Sequence, residues 1–487
     1  MATKKDLVEA YSFSRRRLVT AFVSGAPGGR EVEPARPGRS IVGGVALAVL
    51  MVAIGAVIGF LRNPSAPDWD TAGLITEKES GAAYLNMPPP PGSDDDRFQL
   101  RPLQNITSAL LIFDGEADAQ RVPHDRISER PRGPGIGILG APATPPEASR
   151  LVQTGWTACT TDASVSQGDP AGTSLTISAE TDVVPVPDRR FVVRAPDGGT
   201  WLIAEAATRD FALGQRAYRY RVPQSGATNA ILSALGGTST PVPVSDEWLA
   251  LFPQGAALAL NELDIGTVGA SWAGAGYNPK AAGAKVGGLL RVGPEENYLL
   301  TETGKGAIRL DAFSLQLYQR LVGKEYPDPI DIERGPGDYD EIDNLPQQLS
   351  WPSSDEVGPR PQGRLCAVLD PQPGQPGVNL GTRAAPSSED PAPSGETSVV
   401  VDSGAGAFVY SGDWEPGPVT PVLVDDQGTR FPVAEQADEA RLLGYGDVER
   451  VVVPDSWLDL LTGGVELSRA AALCPPSSQP GAGGCAS

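Results

Sequence analysis

The chain has 487 residues, of which 39 are Lys or Arg and 60 are Asp or Glu, for a net charge of −21. That length allows roughly three domains and a sizeable buried core. An acidic main body excludes nucleic-acid binding, which needs clustered positive charge to neutralise phosphates. The charge is uneven: residues 1–40 hold eight Lys/Arg against four acids, and residues 41–61 hold none of either sign.

In chain order, residues 5–24 (KDLVEAYSFSRRRLVTAFVS) predict a helix with Leu7, Val8, Tyr11, Leu18, Val19 and Phe22 on one side. Such a basic amphipathic helix lies on anionic lipid or docks a cytoplasmic partner; a solvated basic tail is the plain alternative. Ile41 to Leu61 is an uncharged stretch of 21 residues, about 32 Å as a helix and long enough to span a hydrocarbon core of ~30 Å. A signal peptide has a shorter apolar region and a small-residue cleavage site, whereas this stretch runs into LRNPSAP. Basic residues before it and acidic ones after it place the N-terminus in the cytoplasm and everything after Leu61 outside. Gly55 and Gly59 could let a second membrane helix approach closely.

Beyond the span, proline and glycine punctuate the chain at 87–93, 131–147, 370–377 and 385–396, all read as loop or linker. Between these lie strand–turn–strand signals: FVVRAPDGGTWLIAEA (191–206), strands near 288–292 and 298–302, and strands within 407–412 and 419–435. Residues 246–258 (DEWLALFPQGAAL) return as 455–467 (DSWLDLLTGGVEL), with Asp246, Trp248, Leu249, Leu251, Gly255 and Leu258 matching Asp455, Trp457, Leu458, Leu460, Gly464 and Leu467. Each copy predicts a short helix that caps a sheet and is closed by glycine. Asp246 or Ser245, and Asp455, are the expected N-caps. Trp248 and Trp457 are expected as core anchors of units related by duplication.

The four cysteines, Cys159, Cys366, Cys474 and Cys485, all follow the apolar stretch, on the side where disulfides persist. They allow three pairings. Cys474 and Cys485 bracket a short Pro/Gly stretch that closes easily, which leaves Cys159 with Cys366. A metal site is the rival, but there is no CxxC and the sole histidine is His124.

These features together resemble EccB, the core membrane component of actinobacterial type VII (ESX) secretion systems. The resemblance runs the length of the chain: the start MATKKDLVEAYSFSRRRLVTAFV, one membrane helix, AAYLN (82–86), RPLQNITSALLI (101–112), YLLTETG (298–304), VLVDDQGTRFPV (422–433) and LGYGDVERVVVPDSWLDLL (443–461). It implies an α+β body of four hairpin/helix repeat domains around a β-rich central domain stitched by a disulfide, a role that Cys159 and Cys366 match by position. The expected boundaries are a cytoplasmic segment 1–40, a membrane helix 41–61 and a linker 62–80. Repeats follow at 81–130, 189–258, 259–330 and 406–470, central parts at 131–188 and 331–405 (with a proline-rich insert, 370–396), and a Cys-bracketed tail at 471–487.

The resemblance further implies partners like EccC (the motor ATPase), EccD and EccE, contact with lipid, and self-association of the body. Leu7, Tyr11, Leu18 and Phe22 are the expected cytoplasmic contact residues. Some members of the family have been described as ATPases, which raises the question of a phosphate site. No G-x-x-x-x-G-K-[ST] is present; Gly304-Lys305-Gly306 sits in a hairpin turn, and Gly135-x-Gly137-x-x-Gly140 lacks the flanking strand and helix of a dinucleotide fingerprint. A Ser-His-Asp centre must use His124, and no G-x-S-x-G elbow exists. Asp94, Asp95 and Asp96, like Asp338, Asp340 and Glu341, read as solvated charge. The expectation is a scaffold without cofactor, metal or catalytic residues. Weak nucleotide hydrolysis or a membrane-anchored wall-binding module stands as the alternative.

Overall fold

The computed structural model describes residues 3–24, 44–45, 47–54, 69, 71–89, 97–113, 119–161, 171–187, 189–207, 215–223, 241–274, 279–294, 296–302, 306–322, 328–332, 341–342, 349–352, 363–384, 397–435 and 438–476. They fall into two units, Met1–Asp68 and Trp69–Ser487.

The first unit holds helix α1 (Lys4–Ser24). Its first turn is tied by the Asp6 carboxylate, which accepts from the backbone N–H (2.9 Å) and hydroxyl (2.7 Å) of Thr3. A carboxylate there also suits the positive end of the helix dipole. Residues 44, 45 and 47–54 are helical as well. Among the described residues no helix is long and apolar enough to cross a membrane. The rest of the expected span, 41–43, 46 and 55–61, lies outside them.

The second unit is an α+β body. It opens with a four-stranded sheet, β1 (Gly73–Glu77), β2 (Ala83–Met87), β3 (Gln99–Pro102) and β4 (Gln120–Val122), in the order β3-β2-β1-β4. Helix α2 (Ile106–Ile112) leads from β3 toward β4, and α3 (His124–Ser128) follows β4. Next come three strands of a central sheet, β5 (Trp156–Thr160), β6 (Thr173–Ile177) and β7 (Val184–Pro185). The second peripheral sheet is β8 (Arg190–Arg194), β9 (Thr200–Ala207), β10 (Gln215–Arg221) and β11 (Val242–Pro243), then helix α4 (Asp246–Ala250).

The chain then repeats that order. The third peripheral sheet is β12 (Leu289–Val292), β13 (Glu296–Leu300), β14 (Ala307–Leu310), helix α5 (Ala312–Val322), β15 (Ile330–Ile332) and β16 (Glu341–Ile342). Three more central strands follow: β17 (Arg364–Asp370), β18 (Gly377–Arg383) and β19 (Ser398–Val401). The fourth peripheral sheet is β20 (Ala407–Gly412), β21 (Thr420–Val424), β22 (Thr429–Pro432), helix α6 (Glu439–Leu442), β23 (Val452–Pro454), helix α7 (Asp455–Leu458) and β24 (Thr462–Gly463), before helix α8 (Arg469–Ala472).

All four peripheral sheets share one connectivity: an antiparallel three-strand meander, with a later strand returning parallel to its first strand. The order of the central sheet is β19-β6-β5-β17-β18-β7, so β5 and β17 meet in the middle and each half gives its third strand to the other half's edge. The register repeats too. Ala158 pairs with Leu175, and Leu365 with Thr382, each partner advanced by the 207 residues that separate Cys159 from Cys366. Gly155 and Gly363 introduce β5 and β17 with positive φ (90° and 125°), and a Cβ on either would collide with a backbone carbonyl of the neighbouring strand.

Three cores join these sheets. One carries the central sheet together with the second and fourth peripheral sheets, through Phe191, Val193, Trp248, Leu380, Val409 and Trp457. Another fuses the second sheet to the third, and a third fuses the first to the fourth.

Several boundaries differ from the sequence reading. Residues 73–77, assigned to a linker, form β1 between β2 and β4, because Leu74 and Ile75 are buried there. The glycine-rich stretch after 131 is not a free connector: Arg132 and Ile136 bridge Leu100 and Leu103 along the edge of the first sheet. Residues 331–332 and 341–342, assigned to the central domain, pair with the third sheet instead. The stretch 370–377 is the turn between β17 and β18, not part of an insert; Val378 and Leu380 bury the strand that follows it. The remaining insert residues, 385–396, lie outside the described residues.

Candidate functional site

On α1, Leu7, Tyr11, Leu18 and Phe22 follow one another at helical spacing and are all exposed, Phe22 at 91%. Arg15, Arg16 and Arg17 are exposed on the same helix. An exposed apolar stripe on a basic helix costs solvation unless a partner helix or a lipid surface covers it.

The tryptophan blocks are not exposed. Trp248 and Trp457 are both fully buried. Trp248 donates its indole N–H to Ala158 O of the central sheet (3.0 Å), and Trp457 donates to Leu251 O of the other block (3.2 Å). Ser245 caps α4 by accepting from Trp248 N–H (3.1 Å). Asp455 does not cap α7: Pro454 holds the N-cap position, and the Asp455 carboxylate accepts from the Ser411 hydroxyl. Gly255 and Gly464 differ from expectation in their reason. Neither has positive φ. A Cβ at Gly255 would enter the Tyr220 ring, and one at Gly464 would enter the Phe431 ring. The glycine leaves room for an aromatic residue on the third meander strand.

Cys159 and Cys366 face each other across β5 and β17 as a disulfide, both fully buried. Cys474 is disulfide-bonded, and Cys485, its expected partner, lies outside the described residues.

Two buried charges carry no signal that the sequence reading used. Arg216 of β10 donates to Trp414 O (3.1 Å), Pro376 O (3.4 Å) and the Tyr218 hydroxyl (3.1 Å), with the Glu415 carboxylate at 3.6 Å. One guanidinium thereby braces the second sheet, the β17–β18 turn and the fourth sheet. Glu77, also buried, accepts from the Ser80 hydroxyl and meets His124 Nδ1. Those hydrogen bonds, Ser80 first and His124 second, hold Glu77 below the usual glutamate range. Glu77 in turn raises His124 above its ordinary value. The carboxylate stands between serine and histidine, so the imidazole meets the glutamate and not the serine hydroxyl, which is not the serine–histidine–acid order of a catalytic triad.

Among the described residues no group of three or more His, Cys, Asp or Glu could hold a metal ion. Lys305, Asp94, Asp95, Asp96, Asp338 and Asp340 lie outside the described residues, and nothing is described of the Glu341 side chain. Gly135 and Gly137 lie beside the edge of the first sheet, next to Pro102 and Gln104, and Gly140 lies near Val465; neither a preceding strand nor a following helix frames the three.

The profile of a family described as "Type VII secretion system ESX-1, transport TM domain B" matches residues 1–478. The chain belongs to this family, EccB. A Mycobacterium tuberculosis relative named "ESX-1 secretion system ATPase EccB1" is 24% identical over 98% of this chain and 96% of its own length. A second EccB1, from Mycolicibacterium smegmatis, is 27% identical over 42% of this chain and 40% of its own. Among solved structures, a chain of an intact ESX-5 inner membrane complex has a TM-score of 0.60 at 22% identity, covering 100% of this chain and 98% of that one. An EccB3 dimer from an ESX-3 core complex also gives 0.60, at 19% identity, over 83% of this chain and 100% of that one. Those likenesses establish the EccB fold.

Proposed function

We propose that this chain is a scaffold subunit of a type VII secretion membrane complex, acting by holding other subunits rather than by catalysis. The observation that carries the reading is the exposed stripe Leu7, Tyr11, Leu18 and Phe22 on a basic helix at the start of a family member. The motor ATPase EccC is the partner this stripe fits, with EccD- and EccE-like proteins and lipid completing the contacts.

On this reading residues 41–61 cross the membrane once, the N-terminus lies in the cytoplasm and the acidic body lies outside. The body descends from duplication of small sheet units, a reading supported by the shared connectivity of the four peripheral sheets. It self-associates, as the EccB3 dimer does.

Replacing Leu7, Tyr11, Leu18 and Phe22 together by Ser tests the proposal. The variant should express, with the melting temperature of its body unchanged, yet fail to copurify with an EccC-like ATPase and fail to support secretion. Normal copurification with the motor would overturn it.

A second reading, nucleotide hydrolysis, is favoured by the names of the relatives, several of which include the word ATPase.

A further inference from the structure

The chain's only histidine stands where the first sheet closes its own small core. That core is Ile75, Tyr84, Leu100, Val122 and Ile127, with Trp69 packed at its margin. Helix α3 supplies Ile127, and the β1–β2 turn lies beside the start of that helix. The turn is tightly built: Gly81 has φ 73°, Glu77 N–H donates to Ala82 O (2.9 Å), and Lys78 N–H donates to Val122 O (3.0 Å). Its two carboxylates both reach His124, Glu79 accepting from the His124 backbone N–H (2.9 Å) and Glu77 meeting the imidazole Nδ1. The Glu77 side chain is 7% exposed and His124 57% exposed, so a buried anion meets a ring that protons can reach.

We infer that Glu77 and His124 form a proton-operated clamp, closed when His124 is charged, that fastens the β1–β2 turn to α3 and so sets how firmly the first sheet holds the start of the body. The first sheet's other apolar residues, among them Leu85, join the core shared with the fourth sheet, so on the side of the small core the turn and α3 have little else to hold them together. Charge reaches the pair from every element around it. Glu77 and Glu79 act from the turn, Asp125 from the histidine's own helix, and Arg132, over the Tyr84 ring at 5.6 Å, from the chain beside β3. Three acids favour the imidazolium, and Arg132 favours the glutamate anion.

The direction follows from linkage. His124 is raised above 6.5, so its contribution is complete below pH 6.5 and is lost as pH rises through its folded value. Glu77 is lowered below 4.5, so its contribution is complete above pH 4.5 and is lost as pH falls through its folded value. Both hold between those limits, where the clamp is closed; it opens toward the alkaline side.

The test uses the purified full chain and so does not depend on which side of a membrane the body occupies. Selective labelling of histidine gives one side-chain resonance to titrate. Hydrogen exchange, corrected for the pH dependence of the intrinsic rate, reads the backbone of 77–82 and 122–128. The expected result is a His124 titration above 6.5 and greater protection of both segments at pH 6 than at pH 8. His124→Gln and Glu77→Gln should each abolish that difference while the other sheets keep their protection. A His124 titration at or below 6.5, or protection of the two segments that does not differ between pH 6 and pH 8, overturns the clamp.

Discussion

Trp457 reaches out of its own sequence block and donates its indole N–H to the carbonyl of Leu251 in the other block, 3.2 Å away. The two copies are therefore in direct contact within one core. Trp457→Phe keeps most of the apolar area but strands the Leu251 carbonyl, and should cost about 1–3 kcal/mol. Trp457→Ala should cost about 3–5 kcal/mol as a core truncation. Urea unfolding measures both; a Phe variant as stable as the parent would show that the hydrogen bond contributes nothing.

The glycine shared by the blocks gives a second expectation. Because a Cβ at Gly464 would meet the Phe431 ring at 2.5 Å, Gly464→Ala should destabilise the body by about 1–3 kcal/mol through overpacking. Trimming the ring with Phe431→Leu in the same chain should recover part of that loss. A simple sum of the two single effects would argue against ring contact as the reason for the glycine.

Cys159 and Cys366 are both fully buried beside Val183 and Val368. A small thiol should therefore reach the bond only after local opening, and alkylation of the folded chain under mild reductant should lag far behind that of the chain in urea. The paired variant Cys159→Ser with Cys366→Ser should lose about 2–5 kcal/mol. Prompt labelling of the folded protein would mean that the central sheet opens far more readily than its burial implies.

How much of the fold is legible in the sequence depends on how far each signal lies from its partner. The hairpins β8–β9 and β21–β22 show themselves by apolar runs around turns closed by Gly198 (φ 82°) and Gly428 (φ 72°), both local features. The central sheet does not. β5 pairs with β17, whose residues lie some two hundred positions on, and only the cysteines hint at that meeting. Helix α5 carries a usable signal that the sequence reading leaves aside, since Phe313 and Leu317, like Ser314 and Tyr318, are buried one turn apart. Arg216 gives none. Its partners Pro376 and Trp414 come from two other sheets, and nothing near Arg216 in sequence marks it as a buried charge. Glu77 reads as part of a linker because the strand that buries it is only five residues long.

The last expectation concerns ATP. A phosphate loop works because a strand, a glycine turn and a helix aim successive backbone N–H groups, with the helix dipole, at the phosphates. Gly304-Lys305-Gly306 joins β13 to β14, and the next element is an antiparallel strand rather than a helix, with Leu300 paired to Ala307 across the hairpin. Gly306 is already engaged: its carbonyl accepts from Thr301 N–H (3.1 Å) and from the Trp272 indole (3.1 Å). The segment between β13 and β14 therefore leads into a strand, not into the helix that a phosphate loop requires. Purified full-length chain should hydrolyse ATP at a rate that Lys305→Ala leaves unchanged, measured as phosphate release across a range of ATP concentrations. A saturable rate that disappears in Lys305→Ala would place a phosphate site in this hairpin, and the scaffold-only reading would have to be abandoned.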